Sequence, residues 1–276
     1  MAHSRIRGSP KPEEGPMSWG DNRRFPRLRW VPWMIGLLIF GAWELASRGG
    51  MISPLFFPAP STVAETIIRL SGTGELTANL LATIGRLLAG FLLGGIVGLS
   101  VGILMGWSAG LRQIVDPIIA VLHPVPKISV FPLVMVVFGI GVVSKLFVIA
   151  VAAFFPIVIN TTAGVRQIST IHFEVAQNFG ASPWHVLRHV ILPGSSPMIL
   201  AGMRLALNVS LSITTAMELL MANNGLGAMI WLSWQTLRIE ELYAAIFCLA
   251  LIGTAIRVTV IFLSRLLVPW QEWNTH

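Results

Sequence analysis

Residues 80–106 carry a single charged side chain, Arg86, and are otherwise apolar or small. Such a run exceeds the roughly 20 residues needed to cross the hydrocarbon core of a bilayer. A backbone in hydrocarbon has no water to bond, so a single run of this kind crosses as a helix. Comparable runs cover about 31–47, 113–138, 143–165, 197–217 and 242–268. Only 11% of the 276 residues are charged and 54% are hydrophobic, whereas soluble domains carry about 25% charged residues. The expectation is an all-α membrane protein with six transmembrane helices.

The second run holds the clearest packing signal. Gly90, Gly94, Gly98, Gly102 and Gly106 recur every four residues, and Ala82 and Arg86 extend the row. That spacing keeps the glycines on nearly one helix face and leaves a groove where another helix can approach closely. The prediction is a tightly packed central helix. The third run is different: Pro117, Pro124, Pro126 and Pro132 interrupt it, and it carries His123 and Lys127. Prolines free carbonyls that need protein or water around them at membrane depth. A lysine there either faces a cavity or snorkels to the interface. A broken helix with a cation suits a translocation path, to which Asn160 in the fourth run and Glu218 beyond the fifth are further candidates.

Between the runs, Thr62 and Glu65 have capping-box spacing, which predicts a short surface helix to about Leu70 with a Glu65–Arg69 ion pair. Glu44, near the far end of the first run, is expected to reach water. Leu226 to Leu237 form a short amphipathic piece. Residues 1–29, rich in Gly, Pro, Ser and charge, are expected to be a disordered tail, and Trp270 and Trp273 to anchor the other end at the lipid interface.

The net charge of +7 is a topology signal rather than a nucleic-acid footprint. Arg23, Arg24, Arg27 and Arg29 abut the first run, and Arg112, Arg166, Arg188 and Arg265 fall on the same side of a six-span topology. Positively charged loops stay in the cytoplasm, so both termini are expected there. Cys248 is the only cysteine and can form no intrachain disulfide.

The same topology puts one polar stretch, residues 174–193, in the cytoplasm. It reads as helix, turn, helix over 171–193. Ile171, Val175 and Phe179 share one face. Gly180 ends the first helix, Ser182 caps the second with Pro183 at its first position, and Pro193 stops it. Trp184, Leu187 and Ile191 give this second helix its apolar side. The pair is either a compact docking knob for a soluble partner or an interfacial helix pair lying on lipid. His185 and His189 have metal-ligand spacing, but residue 186 is Val where a zinc protease needs Glu, and no third ligand is evident. Lys11, Lys127 and Lys145 are the only lysines, and none sits in a Walker loop. With no G-x-S-x-G motif either, no catalytic or metal residues are assigned.

Glu174-Val-Ala176, Gly180 and Val190-Ile-Leu192-Pro193 resemble the E-A-A…G…I-x-L-P coupling loop of bacterial ABC importer permeases, with Val175 and Val190 as the departures. Phe57-Pro-Ala-Pro-Ser-Thr62, Pro124-Val-Pro126, Phe138-Gly-Ile-Gly141, Phe154-Phe-Pro156 and Asn224-Gly-Leu-Gly227 are similar to the nitrate, sulfonate, taurine and bicarbonate branch. The resemblance implies a MetI-like type I permease fold over residues 30–270, in the bacterial inner membrane, working by alternating access. It implies a permease homodimer, two cytoplasmic ABC ATPase subunits and an extracytoplasmic substrate-binding protein. This chain would bind no cofactor itself; Mg-ATP would sit on the ATPases. Glu174, Ala176, Gly180, Ser182, Leu192 and Pro193 would form the ATPase contact. The competing readings are a membrane-embedded enzyme and an ATP-independent channel.

Overall fold

The computed structural model describes residues 30–221 and 223–268, and these are helical wherever they are regular. The expected disordered tail at 1–29 and the tryptophans at 270 and 273 lie outside the described residues. The helices are α1 (Val31–Arg48), α2 (Pro60–Gly72), α3 (Glu75–Trp107), α4 (Ala109–Leu122), α5 (Phe131–Phe138), α6 (Val142–Arg166), α7 (Thr170–Asn178), α8 (Pro183–Val186), α9 (Leu192–Met221), α10 (Leu226–Gln235) and α11 (Ile239–Leu267). Among the described residues, α3, α6, the continuous helix Pro183–Met221 and α11 are long and apolar enough to cross a membrane. A fifth span results if α4 and the segment Lys127–Phe138, which meet at 88°, count as one. The sixth expected span, 31–47, is the 18-residue α1, which falls short of that standard.

The bundle is built on the contact of α3 with α6. A Cβ on Gly90 would overlap Ile149, and one on Gly94 would overlap the Ala150 carbonyl. At Gly98 it would stand 2.9 Å from the Phe154 carbonyl, at Gly102 2.7 Å from Thr161 Cβ, and at Gly106 it would overlap Val165. Contacts on both helices advance together in sequence, so α3 and α6 run parallel and stay in step for roughly four turns. On the other side of α6 lies α9, antiparallel. A Cβ on Gly164 would come 2.7 Å from Met198 Cβ, and one on Gly202 2.8 Å from Asn160 Cβ. The central helix is therefore α6, half of whose spanning window is buried against 33% for α3; the glycine row lines one of its flanks.

At one end of the bundle α2 lies across α1, α3 and α11. Its start departs from the expected capping box: Ala59 is the N-cap residue and no side chain of α2 caps it. The Glu44 carboxylate of α1 does so instead, accepting from Ser61 N at 3.0 Å and Ser61 Oγ at 2.7 Å, while also holding Arg48. A carboxylate at a helix start offsets the orphan N–H groups and the helix dipole. Arg69 likewise turns from Glu65 to Glu241 of α11, at 3.3 Å.

Of the four prolines expected to interrupt the third run, Pro124 and Pro126 fall at its break. Pro117 lies inside an unbroken α4, and Pro132 in the first turn of α5, where its missing N–H costs no helical bond. Past Leu122 the chain turns through Pro124 and Pro126 into a short 3-10 segment, Lys127–Val130, before α5. The Lys127 ammonium donates to the His123 carbonyl freed by the break.

The glycine contact makes a measurable forecast. Gly94→Ala should lower the apparent melting temperature of the detergent-solubilised protein, the overpacking costing about 1–3 kcal/mol. Gly85→Ala, with nothing within 4 Å of the new carbon, should leave it unchanged or raised. Equal melting of the two variants would refute the contact.

Candidate functional site

Two parts of the molecule combine exposure with unusual chemistry, and a third is a buried polar centre. The first lies at the end of the bundle where α6 hands over to α7. Gly180 follows α7 with φ +64. Its N–H donates to Gln177 O at 2.9 Å and the Ala181 N–H to Ala176 O at 2.9 Å. This is the Schellman pair of bonds, which needs a left-handed residue where Gly180 stands. Ser182 Oγ then accepts from His185 N at 3.4 Å and caps the next helix, with Pro183 in its first turn.

The turn presses Phe173, Ala176, Ala181 and Leu187 onto a buried cluster of Val165, Val186 and Ile191. Ile171, Val175 and Phe179 therefore point away from the bundle, with Phe179 88% exposed and Ile171 62%. Trp184 is also outside, at 65%. Glu174 and Ser182 are exposed beside this stripe. An uncovered apolar stripe rimmed by polar groups is the mark of an interaction surface. His185 and His189 stack face to face on the outside, centroids 5.4 Å apart.

The second helix of the expected pair does not end at Pro193. A π turn, Leu187–Ile191, leads straight into α9, giving one helix from Pro183 to Met221. Proline removes the N–H that would close an ordinary helical bond, and a π turn just before it has already shifted that pairing. Farther along, Pro197 leaves the Pro193 carbonyl without its helical donor; Ser196 Oγ supplies one at 2.8 Å. Leu192 is exposed and Pro193 half-buried on this rod.

The second part is the break after α4. Lys127 stands 4.5 Å over the Phe155 ring, and the His123 ring lies 5.5 Å from the same ring. An aromatic face attracts a cation. Lys127 and Phe155 border a cavity of about 150 Å³ whose other walls include Leu122, Val134, Val148 and Val151; His123 lies outside its lining, against the same ring. Asn160 and Glu218 lie apart from them. Asn160 donates to Pro156 O at 2.8 Å and faces Gly202 of α9.

Glu218 centres the third part. Its side chain is fully buried and meets Arg86 Nη1 at 2.5 Å, Thr83 Oγ1 at 2.8 Å and Gly227 N at 3.1 Å. Leu226 N donates to Thr83 Oγ1 at 2.8 Å and Gly225 N to Asn79 Oδ1 at 2.7 Å. Side chains of α3 and α9 thus cap the start of α10. Gly225 sits at φ +110, and a Cβ there would strike the Glu218 carboxyl; this accounts for glycine in Asn224-Gly-Leu-Gly227. Arg86 also holds Asn224, and Lys145 Nζ donates to Met221 O at 2.8 Å at the end of α9. Sequence reasoning noticed Arg86 and Glu218 separately. The signal that pairs them is charge of opposite sign within membrane-spanning helices, which seldom stays unpartnered.

The family described as "Binding-protein-dependent transport system inner membrane component" matches residues 90–273. The taurine transport system permease protein TauC of Escherichia coli K12 is 36% identical over 255 residues, covering 90% of this chain and 93% of that protein. The putative aliphatic sulfonates transport permease protein SsuC of Bacillus subtilis 168 is also 36% identical, with 91% and 92% covered. The bicarbonate transport system permease protein CmpB of Synechocystis is 30% identical, with 86% and 88% covered. Among solved structures, a chain of the inward-facing MetNI methionine ABC transporter superposes with a TM-score of 0.60 at 20% identity, covering 71% of this chain and 98% of that one. The fold is MetI-like.

The buried centre yields its own test. Glu218→Ala or Arg86→Ala alone strands a buried charge and should cost about 3–5 kcal/mol, seen as loss of folded protein in a melting series. The double variant should cost less than the sum of the two, because neither charge is left unpaired. Strict additivity would contradict the pairing.

Proposed function

Since the chain belongs to the family of binding-protein-dependent transport system inner membrane components, it is a non-catalytic permease subunit of an ABC importer, and we propose that its cargo is a small anion of the sulfonate, taurine, nitrate or bicarbonate type. The names of the relatives support that class. So does Lys127, a cation beside an apolar cavity in a broken helix, where poor screening strengthens its pull on an anion. His123 shares this place. As the helix before the break and the helix after it change their angle, the cavity can open to one side of the membrane or the other.

In this reading the chain pairs with a second copy and works with two cytoplasmic ATPase subunits and an extracytoplasmic binding protein. Both termini lie in the cytoplasm. The observation that carries the coupling is the uncovered stripe Ile171–Val175–Phe179 beside the Gly180 turn. Outside the bilayer such a stripe needs a protein cover. A cleft in the ATPase supplies it, with Glu174, Gly180 and Ser182 around the contact, Ala176 seating the helix from its inward side, and Leu192 and Pro193 on the rod behind. ATP binding would draw two such surfaces together and rock the spans to which they are joined.

Gly180→Asn separates the contact from the turn, since asparagine tolerates the left-handed conformation and adds a side chain where space is open. The variant should fold, yet lose about tenfold or more in ATPase co-purification and solute uptake, as for truncation of a contact hot spot. Normal coupled uptake would remove position 180 from the contact. Lys127→Ala, assayed with radiolabelled taurine and sulfonates, should raise KM about tenfold. Unchanged kinetics would take Lys127 out of the path.

A further inference from the structure

The end of the bundle opposite α7 carries a turn built like the one at Gly180, but with leucine at its critical position. Between α10 and α11 the Arg238 N–H donates to Ser233 O at 2.9 Å and the Leu237 N–H to Trp234 O at 3.3 Å. This is the same Schellman pair, and Leu237 adopts the left-handed conformation it requires, at φ 55. Glycine suits that conformation, whereas a residue with a Cβ is strained in it. Leu237 is the only non-glycine residue with positive φ among the described residues. Packing does not offset the strain, because Leu237 is 58% exposed. Strained residues of this kind gather at functional sites.

Leu237 borders a cavity of about 300 Å³ whose other walls include Leu55, Arg69, Arg238, Glu240 and Glu241. Leu55 is likewise exposed. Glu241 is buried and binds both arginines, Arg69 Nη2 at 3.3 Å and Arg238 Nη1 at 3.2 Å. Arg238 Nε also donates to Thr236 Oγ1 at 3.2 Å, and the exposed Glu240 accepts from Thr66 Oγ1 at 3.4 Å. A guanidinium has five N–H donors, and the two side chains stay 55% and 50% exposed. Both cations therefore keep spare donors within reach of solvent. Hydrocarbon does not cover this place: residues 49–59 beside it are irregular backbone, which does not face lipid tails. Exposed apolar side chains around a charged hollow, outside the bilayer, make a surface for a protein.

We propose that this cavity docks the extracytoplasmic substrate-binding protein, which offers a carboxylate to Arg69 and Arg238, set among apolar side chains that cover Leu55 and Leu237. The proposal rests on the importer reading above and gives it an outer contact. The turn holds Leu237 outward in the free chain, so little ordering remains to be done when the partner arrives.

The test reconstitutes the full importer in proteoliposomes and measures solute uptake against the concentration of the binding protein that supports it. Leu237→Gly relieves the strain and removes the apolar knob. It should raise the melting temperature of the solubilised chain, yet raise the half-saturating concentration of binding protein about fivefold to tenfold, with maximal uptake kept. Leu237→Met, which retains an apolar knob, should stay near the wild-type value. Arg69→Gln leaves Glu241 its bond to Arg238 and should raise half-saturation about threefold, less so at high salt. Unchanged half-saturation in Leu237→Gly, or a lowered melting temperature, would overturn the proposal. So would a shift confined to phosphatidylcholine or to phosphatidylglycerol vesicles, which would make lipid the cover. Wild-type vesicles whose uptake does not depend on added binding protein would overturn the importer reading itself, and the docking surface with it.

Discussion

Everything in this molecule leans on the close approach of α3 and α6. In a bilayer two apolar helices gain nothing by leaving lipid for each other through the hydrophobic effect, so association rests on van der Waals contact and hydrogen bonds. Contact density rises only if backbones can come near. Five glycines let α3 lie on the backbone and short side chains of α6, and Gly164 and Gly202 do the same between α6 and α9. A methyl group at Gly94 would have to displace a peptide carbonyl, which belongs to a rigid helix and has nowhere to go. The three-helix core is thus specified by what is missing from its side chains.

The two ends of this core are finished in opposite ways. Where α10 begins, the polar groups are used up internally: Glu218 accepts from α3 and from the first turn of α10, and Asn79 and Thr83 take the backbone donors of Gly225 and Leu226. Within the spans, hydroxyls such as Thr214 on Ser210 O and Ser264 on Val260 O bond back to their own helix. At the α7 end the arrangement is reversed: Phe173 and Ala176 pin the helix inward while Ile171, Val175 and the following Phe179 face the outside. One end is closed on itself. The other leaves an apolar stripe uncovered.

Much of this was legible in the sequence where one residue type had one physical use. The glycine row, the proline break before Lys127 and the Gly180–Ser182–Pro183 turn are all of that kind. Less legible were features decided by three-dimensional competition. Ile171, Val175 and Phe179 form an apolar face on paper, yet smaller Ala176 and Ala181 occupy the inward side because the Schellman turn brings them there. Pro193 reads as a stop, but a π turn absorbs its missing donor. The Glu65–Arg69 spacing yields to Glu241, and the capping box to Glu44, because partners from other helices reach the same groups. The count of spans is likewise unsettled by hydropathy alone: α1 ends in the charged pair Glu44 and Arg48, which dock on α2 instead of lengthening an apolar run.

The unbroken helix from Pro183 to Met221 has a mechanical meaning. Its 39 residues make a beam of roughly 58 Å at 1.5 Å per residue. Such a beam works as a lever: a tilt of about 5° about one end sweeps the other through about 5 Å. Its soft joint is near the Pro183 end, where the π turn and two prolines thin out the hydrogen-bond ladder. Beyond that joint it is continuous helix as far as Met221, where Lys145 grips its last carbonyl and Glu218 holds the first turn of α10. A displacement applied past the joint would therefore reach Met221 as rotation of a clamped shaft, with little lost to bending beyond Pro197.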